Sequence, residues 1–145
     1  MTTKRIGAML INSGLIDEKK LAHALKIQEK DGGFLGKILV GCGFVTEEQV
    51  ANHLMEQGDH DRAYLPLEKY EIDVTLLDTF PEEVCRNMGL LPVDRIANVL
   101  TIAVADDIGV KTFEQVKSLA SDCDIILFIT TLSELDQAFD KYFKK

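Results

Sequence analysis

The chain has 145 residues, 46% of them apolar, and a formal net charge of −8. That length suits one domain or two small ones, and the apolar share is enough for a core, which excludes a disordered tail. No stretch approaches the roughly eighteen apolar residues of a membrane span, and no secretory signal opens the chain, so the expected setting is cytoplasmic, without membrane insertion.

The charge is unevenly spread. Residues 1–57 carry seven basic and seven acidic side chains, whereas 58–145 carry nine basic and seventeen acidic ones. An acidic body repels a polyphosphate backbone, so DNA and RNA are excluded as partners; the neutral stretch that opens with Lys4 and Arg5 admits a small anion. Cys42, Cys85 and Cys123 are an odd, widely spaced set, which points to buried free thiols in a reducing compartment.

The strongest signal is internal repetition at an offset of 29 residues. Residues 5–28 read RIGAMLINSGLIDEKKLAHALKIQ, and residues 34–57 read FLGKILVGCGFVTEEQVANHLMEQ. Seven of the 24 positions are identical, and six more exchange one apolar residue for another. Each copy predicts a helix, a glycine turn and a second helix. In the first, Ile6, Met9, Leu10 and Ser13 share a face, Gly14 takes the C′ position, Asp17 is the N-cap, and Leu21, Ala24, Leu25 and Gln28 follow at helical spacing. In the second, Thr46 and Gln49 form a capping box, followed by Val50, His53, Leu54 and Gln57. Glu29 to Gly33 is the linker. The two copies are expected to pack on each other with pseudo-two-fold symmetry. Gly7 and Gly36 lie near helix starts, where glycine costs about 0.5–1 kcal/mol relative to alanine. They serve either a close helix crossing or the approach of a phosphate or flat ligand to backbone N–H groups.

Residues 58–70 form a charged connector with an extended passage at Pro66. Asp73 caps a turn over Val74–Leu77. A short helix has Pro81 at N1 and runs to Met88, with Gly89 after it. Leu90–Asp94 and Val99–Val104 pair as a hairpin across Arg95–Asn98. A helix spans Val110–Leu119. The apolar run Asp124–Ile129 suits a central buried strand, and Thr131 or Ser133 caps a last helix. The fold class is α+β: a helical tandem repeat over 1–60, then a small sheet with packed helices over 61–145.

Catalytic signals are missing. Asp106 and Asp107 sit side by side at a strand end, where they read as turn and cap. His23, His53 and His60 are wrongly spaced for zinc, and no phosphate loop or nucleophile elbow is present. The chain is expected to be no enzyme.

The paired motif R-[LI]-G-x-x-L-[LIV]-x-x-G-[LIV]-[LIV]-x-x-x-x-L-x-x-x-L-x-x-Q, repeated after a five-residue spacer, resembles the N-terminal domain of type II secretion and type IV pilus assembly ATPases, the GspE/PilB/MshE type. The stretches YLPLEKYEIDVTLLDTFPEEVCRNMGLLPV and ANVLTIAVADD extend the likeness over residues 5–143. The resemblance implies a bacterial regulatory module whose tandem motif binds cyclic di-GMP, or else docks onto an inner-membrane platform protein without nucleotide. It implies no cofactor beyond that ligand. By motif position the ligand residues are Arg5, Ile6, Gly7, Leu10, Gly14 and Gln28 from the first copy. The second supplies Phe34, Leu35, Gly36, Leu39, Gly43 and Gln57. Backbone N–H groups at Gly7 and Gly36 would face the phosphates, Arg5 would add charge, and the leucines would pack on the guanines. Asp106 is expected to take no part. Phe34 stands where the motif has arginine, and its ring is a candidate to stack a base. The family's ATPase domain is not in this sequence, so the chain is expected to be an excised N-terminal domain or a stand-alone form. Its partner would be a secretion or pilus ATPase domain or the platform protein.

Overall fold

Glycines and capping side chains set the boundaries of the first four helices. The computed structural model describes residues 3–55, 63–106 and 108–143; the side chains of 3–6, 109 and 110 fall outside it, as do Gln57, His60 and Asp107 entirely. Over its described residues each repeat copy folds into the two helices predicted, α1 (Thr3–Asn12) and α2 (Glu18–Asp31), then α3 (Leu35–Gly41) and α4 (Glu47–Met55), but α2 runs through Glu29–Asp31 of the expected linker and stops only at Gly32. Gly14 and Gly43 end α1 and α3 at φ of 80° and 78°, a conformation that costs a residue with a Cβ about 1–2 kcal/mol. The turns share their main bonds. The Leu15 N–H donates to the Leu10 carbonyl and the Phe44 N–H to the Leu39 carbonyl, both at 3.0 Å.

The caps match as well. Asp17 accepts from the Lys20 N–H at 2.8 Å, and Thr46 Oγ1 from the Gln49 N–H at 3.1 Å. Gln49 returns the favour by accepting from the Thr46 N–H at 2.9 Å, which completes the capping box. Thr46→Ala is expected to lower stability by about 1 kcal/mol, read as a shift in the urea midpoint at constant slope. The helices pack α1 against α3 and α4, and α2 against α3. Leu10, Ala24, Leu39, Val50 and Leu54 have no exposed surface. Each buried leucine contributes roughly 1.5–3 kcal/mol relative to leaving it in water. His53 ties the copies together: its Nδ1 meets the Gln49 carbonyl at 2.8 Å, and its Nε2 meets the Ser13 hydroxyl at 3.0 Å.

The remaining residues build one three-stranded sheet with helices, an α+β architecture in the predicted order. Asp73 caps the 3-10 turn Val74–Asp78 by accepting from the Thr75 N–H at 3.0 Å. Helix α5 (Glu82–Met88) ends at Gly89, φ 68°. Pro81 stands one residue earlier than predicted, as the N-cap in extended conformation. Strands β1 (Leu90–Ile96) and β2 (Val99–Val104) are antiparallel across Ala97-Asn98, a tighter turn than the four-residue one expected, with Ala97 at φ 54°. Helix α6 (Gly109–Leu119) crosses to β3 (Asp124–Ile129), which runs parallel to β2.

The sheet order β1-β2-β3 corrects one expectation: the most apolar run is an edge strand, not the central one. Among the described residues its outer side bonds only at its end, where Leu65 donates to the Ile129 carbonyl and Ile129 to the Ala63 carbonyl, each at 2.8 Å. Ile125, Ile126 and Phe128 are accordingly half-buried, whereas Ile102, Ala103 and Val104 on β2 are fully enclosed. Helix α7 (Leu132–Tyr142) is capped by Thr131, whose Oγ1 accepts from the Glu134 N–H at 3.2 Å. Of the three thiols only Cys85 is buried; burial pushes its pKa up to about 12, while Cys42 and Cys123 stay half-buried, short of the full burial expected.

Candidate functional site

The two motif starts come together because α1 packs on α3. Gly7 is the fifth residue of α1, past the first turn whose N–H groups lack an intrahelical partner, so it does not stand at a helix start as expected; it is buried, and a Cβ built on it would lie 2.7 Å from Leu21 Cδ1 and 3.4 Å from Leu35 Cδ2. The first copy's glycine thus faces its own second helix and, at Leu35, the first residue of α3. Leu21 is missing from the motif-derived ligand set, and only packing reveals its place over Gly7. Leu10 and Leu39 are wholly buried, and Leu35 is 2% exposed. Leu10 and Leu39 therefore frame the site from inside the core and present no surface to a ligand. Gly14 and Gly43 lie exposed at the two turns. Gln28 is half-buried and donates from Nε2 to the Gly33 carbonyl at 3.0 Å, which ties the end of α2 to the linker before Phe34. The Arg5 and Ile6 side chains and Gln57 lie outside the described residues.

The second motif start is built differently. Gly36 and Lys37 point their N–H groups at Asp106, whose carboxylate accepts them at 3.3 and 2.8 Å. Asp106 is only 3% exposed, and a Cβ on Gly36 would lie 2.6 Å from its Oδ2. The cap expected of Asp106 therefore exists, but the helix it caps begins 70 residues earlier in the chain. An anion at a helix start satisfies orphan N–H groups and the positive end of the dipole. In this structure that anion is a side chain of the protein. The Gly36 N–H, expected to face a phosphate, is already bonded to it.

Phe34 is half-buried and packs inward as the N-cap residue of α3. A Cβ on Gly89 would lie 2.6 Å from its Cε2, so the ring closes against the end of α5 and is not held out to stack a base. Phe44, equivalent to Leu15, meets the His23 ring edge at 6.0 Å and the Lys20 ammonium at 5.6 Å, a contact the offset histidine positions did not suggest.

A separate cleft of about 540 Å3 runs between α4, the 64–68 segment and α7. Glu47, Glu48, Glu68 and Glu134 line it, and none of the nine described motif-derived residues does. Four carboxylates make it hostile to an anionic nucleotide. Within it the Tyr64 hydroxyl donates to Glu134 Oε1 at 2.5 Å, and that carboxylate holds the tyrosine pKa up at about 12. Among the described residues no three His, Cys, Asp or Glu side chains converge as metal ligands, and no helix is long and apolar enough to cross a membrane.

Comparison with known proteins fits this architecture. A family model described as the MshEN domain matches residues 60–145, the part that follows the tandem motif. The type IV pilus assembly ATPase PilB of Thermus thermophilus is 28% identical over 121 residues, covering 80% of this chain and 13% of that protein. PilB of Myxococcus xanthus is 23% identical over 139 residues, covering 96% of this chain and 24% of that one. The chain thus spans about a quarter or less of the pilus ATPases it matches. Among solved structures, MshE with cdg superposes with a TM-score of 0.69 at 28% identity, covering 96% of this chain and 99% of that one. The N-terminal domain of XpsE superposes with a TM-score of 0.68 at 18% identity, over 97% of this chain and 96% of that one, a likeness of fold alone.

Proposed function

The chain belongs to the MshEN domain family, and from that premise we propose that it is a non-catalytic module that binds cyclic di-GMP through its tandem motif and regulates a secretion or pilus ATPase. The observation that carries this reading is the match to MshE with cdg, which we read as cyclic di-GMP, over nearly the whole of both chains. The shared backbone bonding of the two repeat turns supports it, because a ligand with two equivalent halves suits a site made of two similar copies. Residues 1–60 are the sensing part, and 61–145 pass the signal on in the cytoplasm. Arg5, Ile6, Gly14, Gln28, Gly36, Gly43 and Gln57 form the contact set, with Gly7, Leu10, Phe34, Leu35 and Leu39 packed beneath it as support. Arg5 is the one arginine in the set and the only group there able to pair bidentately with a phosphate.

Titration calorimetry of the chain with cyclic di-GMP tests the reading. Binding is expected, and Arg5→Ala should weaken it by about tenfold or more, the effect of losing a charge-assisted contact. Absence of heat at high micromolar ligand, with the protein folded, would sink it. A docking role without nucleotide is the second reading. It is favoured by one observation: at the second motif start the Gly36 and Lys37 N–H groups are already bonded to Asp106. Retention of a secretion or pilus partner in a pull-down after Arg5→Ala, with no nucleotide binding by the unmodified chain, is the result that would select it.

A further inference from the structure

Two carboxylates are exchanged between the repeat and the sheet layer. Asp106, just past β2, accepts the Gly36 and Lys37 N–H groups that open α3, at 3.3 and 2.8 Å. Glu47, the first residue of α4, accepts the Ser133 N–H and hydroxyl in the first turn of α7, at 3.0 and 2.7 Å. Each carboxylate satisfies donors that a helix start leaves without an intrahelical partner, and each bond is charge-assisted. The sheet layer caps a repeat helix, and the repeat caps a helix of the sheet layer. The partners are 70 and 86 residues apart.

Both caps fall on the second copy. In the first copy the equivalent of Gly36 is Gly7, which faces Leu21, and the equivalent of Glu47 is Glu18, which is exposed. Two copies with matching turns are thereby placed in unequal surroundings. We infer that the exchanged caps are a clasp that couples the second copy directly to the sheet layer, whereas the first copy, among the described residues, reaches that layer through its packing on α3 and α4. For its regulatory consequence the clasp rests on the cyclic di-GMP reading: a ligand bridging both copies pulls on α3 and α4, and the pull reaches α7 through Glu47.

Amide hydrogen exchange, residue by residue, tests the clasp first without ligand. Glu47→Ala removes a surface carboxylate and leaves the core intact. It is expected to speed exchange about tenfold at Ser133 and also at Gly36 and Lys37, across the interface, with Gly14 and Leu15 in the first copy unchanged. Glu47→Gln keeps an acceptor oxygen and is expected to restore most of the protection. Asp106→Asn should loosen Ser133 in turn. If Gly36 and Lys37 exchange at the original rate in Glu47→Ala, the two caps are separate local bonds and the clasp is wrong. Cyclic di-GMP is then added. Ser133 exchange is expected to change in the unmodified chain and not in Glu47→Ala. Binding with no change at Ser133 overturns the regulatory consequence. Absence of binding overturns the ligand reading instead, and the ligand-free exchange alone then decides the clasp.

Discussion

Gly36→Ala is expected to destabilise the protein by about 2–4 kcal/mol, the sum of a clash and a weakened charge-assisted bond less a small gain in helix propensity. Helix propensity argues the other way, since alanine is favoured over glycine by about 0.5–1 kcal/mol inside a helix. The surroundings decide. The new Cβ would lie 2.6 Å from Asp106 Oδ2 and 2.8 Å from Oδ1. Asp106 is buried, so its carboxylate cannot swing into water, and any retreat weakens its bonds to the Gly36 and Lys37 N–H groups. Gly7→Ala is the control at the equivalent position. There the obstacle is the end of the half-buried Leu21 side chain, which turns aside, so a cost under about 1 kcal/mol is expected. Chemical denaturation of both variants measures the difference. Equal costs would show that Asp106 yields as freely as Leu21 does.

That contrast marks where the sequence stops being legible. The helix boundaries of the repeat follow from short-range chemistry: Gly14 and Gly43 in left-handed turns, Asp17 and Thr46 as caps. Such interactions span three to five residues and leave a trace in local spacing, so the turns and caps of both copies are legible before any packing is known, whereas the end of α2 at Asp31 and the place of Gly7 inside α1 are not. The apolar run Asp124–Ile129 shows only that a strand forms; its edge position depends on its pairing with β2 and, on its far side, among the described residues, with the chain at Tyr64 alone. Asp106 looks like an ordinary turn residue because the donors it satisfies begin 70 residues earlier. Phe34 breaks the motif, and nothing near it in sequence indicates that its ring packs against Gly89. The motif thus names residues along α1 and α3 and at their turns, and the fold determines which of them remain open to a ligand.

The motif leucines put this distinction to a quantitative test. Leu10 and Leu39 are equivalent by the repeat and have no exposed surface. If they pack directly on a bound guanine, truncation lowers affinity in proportion to the lost contact and leaves the free protein nearly as stable as before. If they belong to the core, the cost falls on folding. Leu39→Ala is expected to cost about 2–5 kcal/mol of stability, the transfer free energy of the removed atoms plus that of the cavity left behind. Against a total of about 5–15 kcal/mol for a typical domain, that lowers the melting temperature by many degrees. Measured well below the new melting temperature, where the variant is still folded, affinity for cyclic di-GMP should stay within about threefold, less than 1 kcal/mol. Leu10→Ala should behave alike, because its side chain is as fully enclosed. A variant of unchanged stability with binding lost would place these leucines at the ligand, and the helices would then have to part before the nucleotide enters. A less stable variant with binding kept would leave recognition to Arg5 and to the backbone and side chains at the two helix starts.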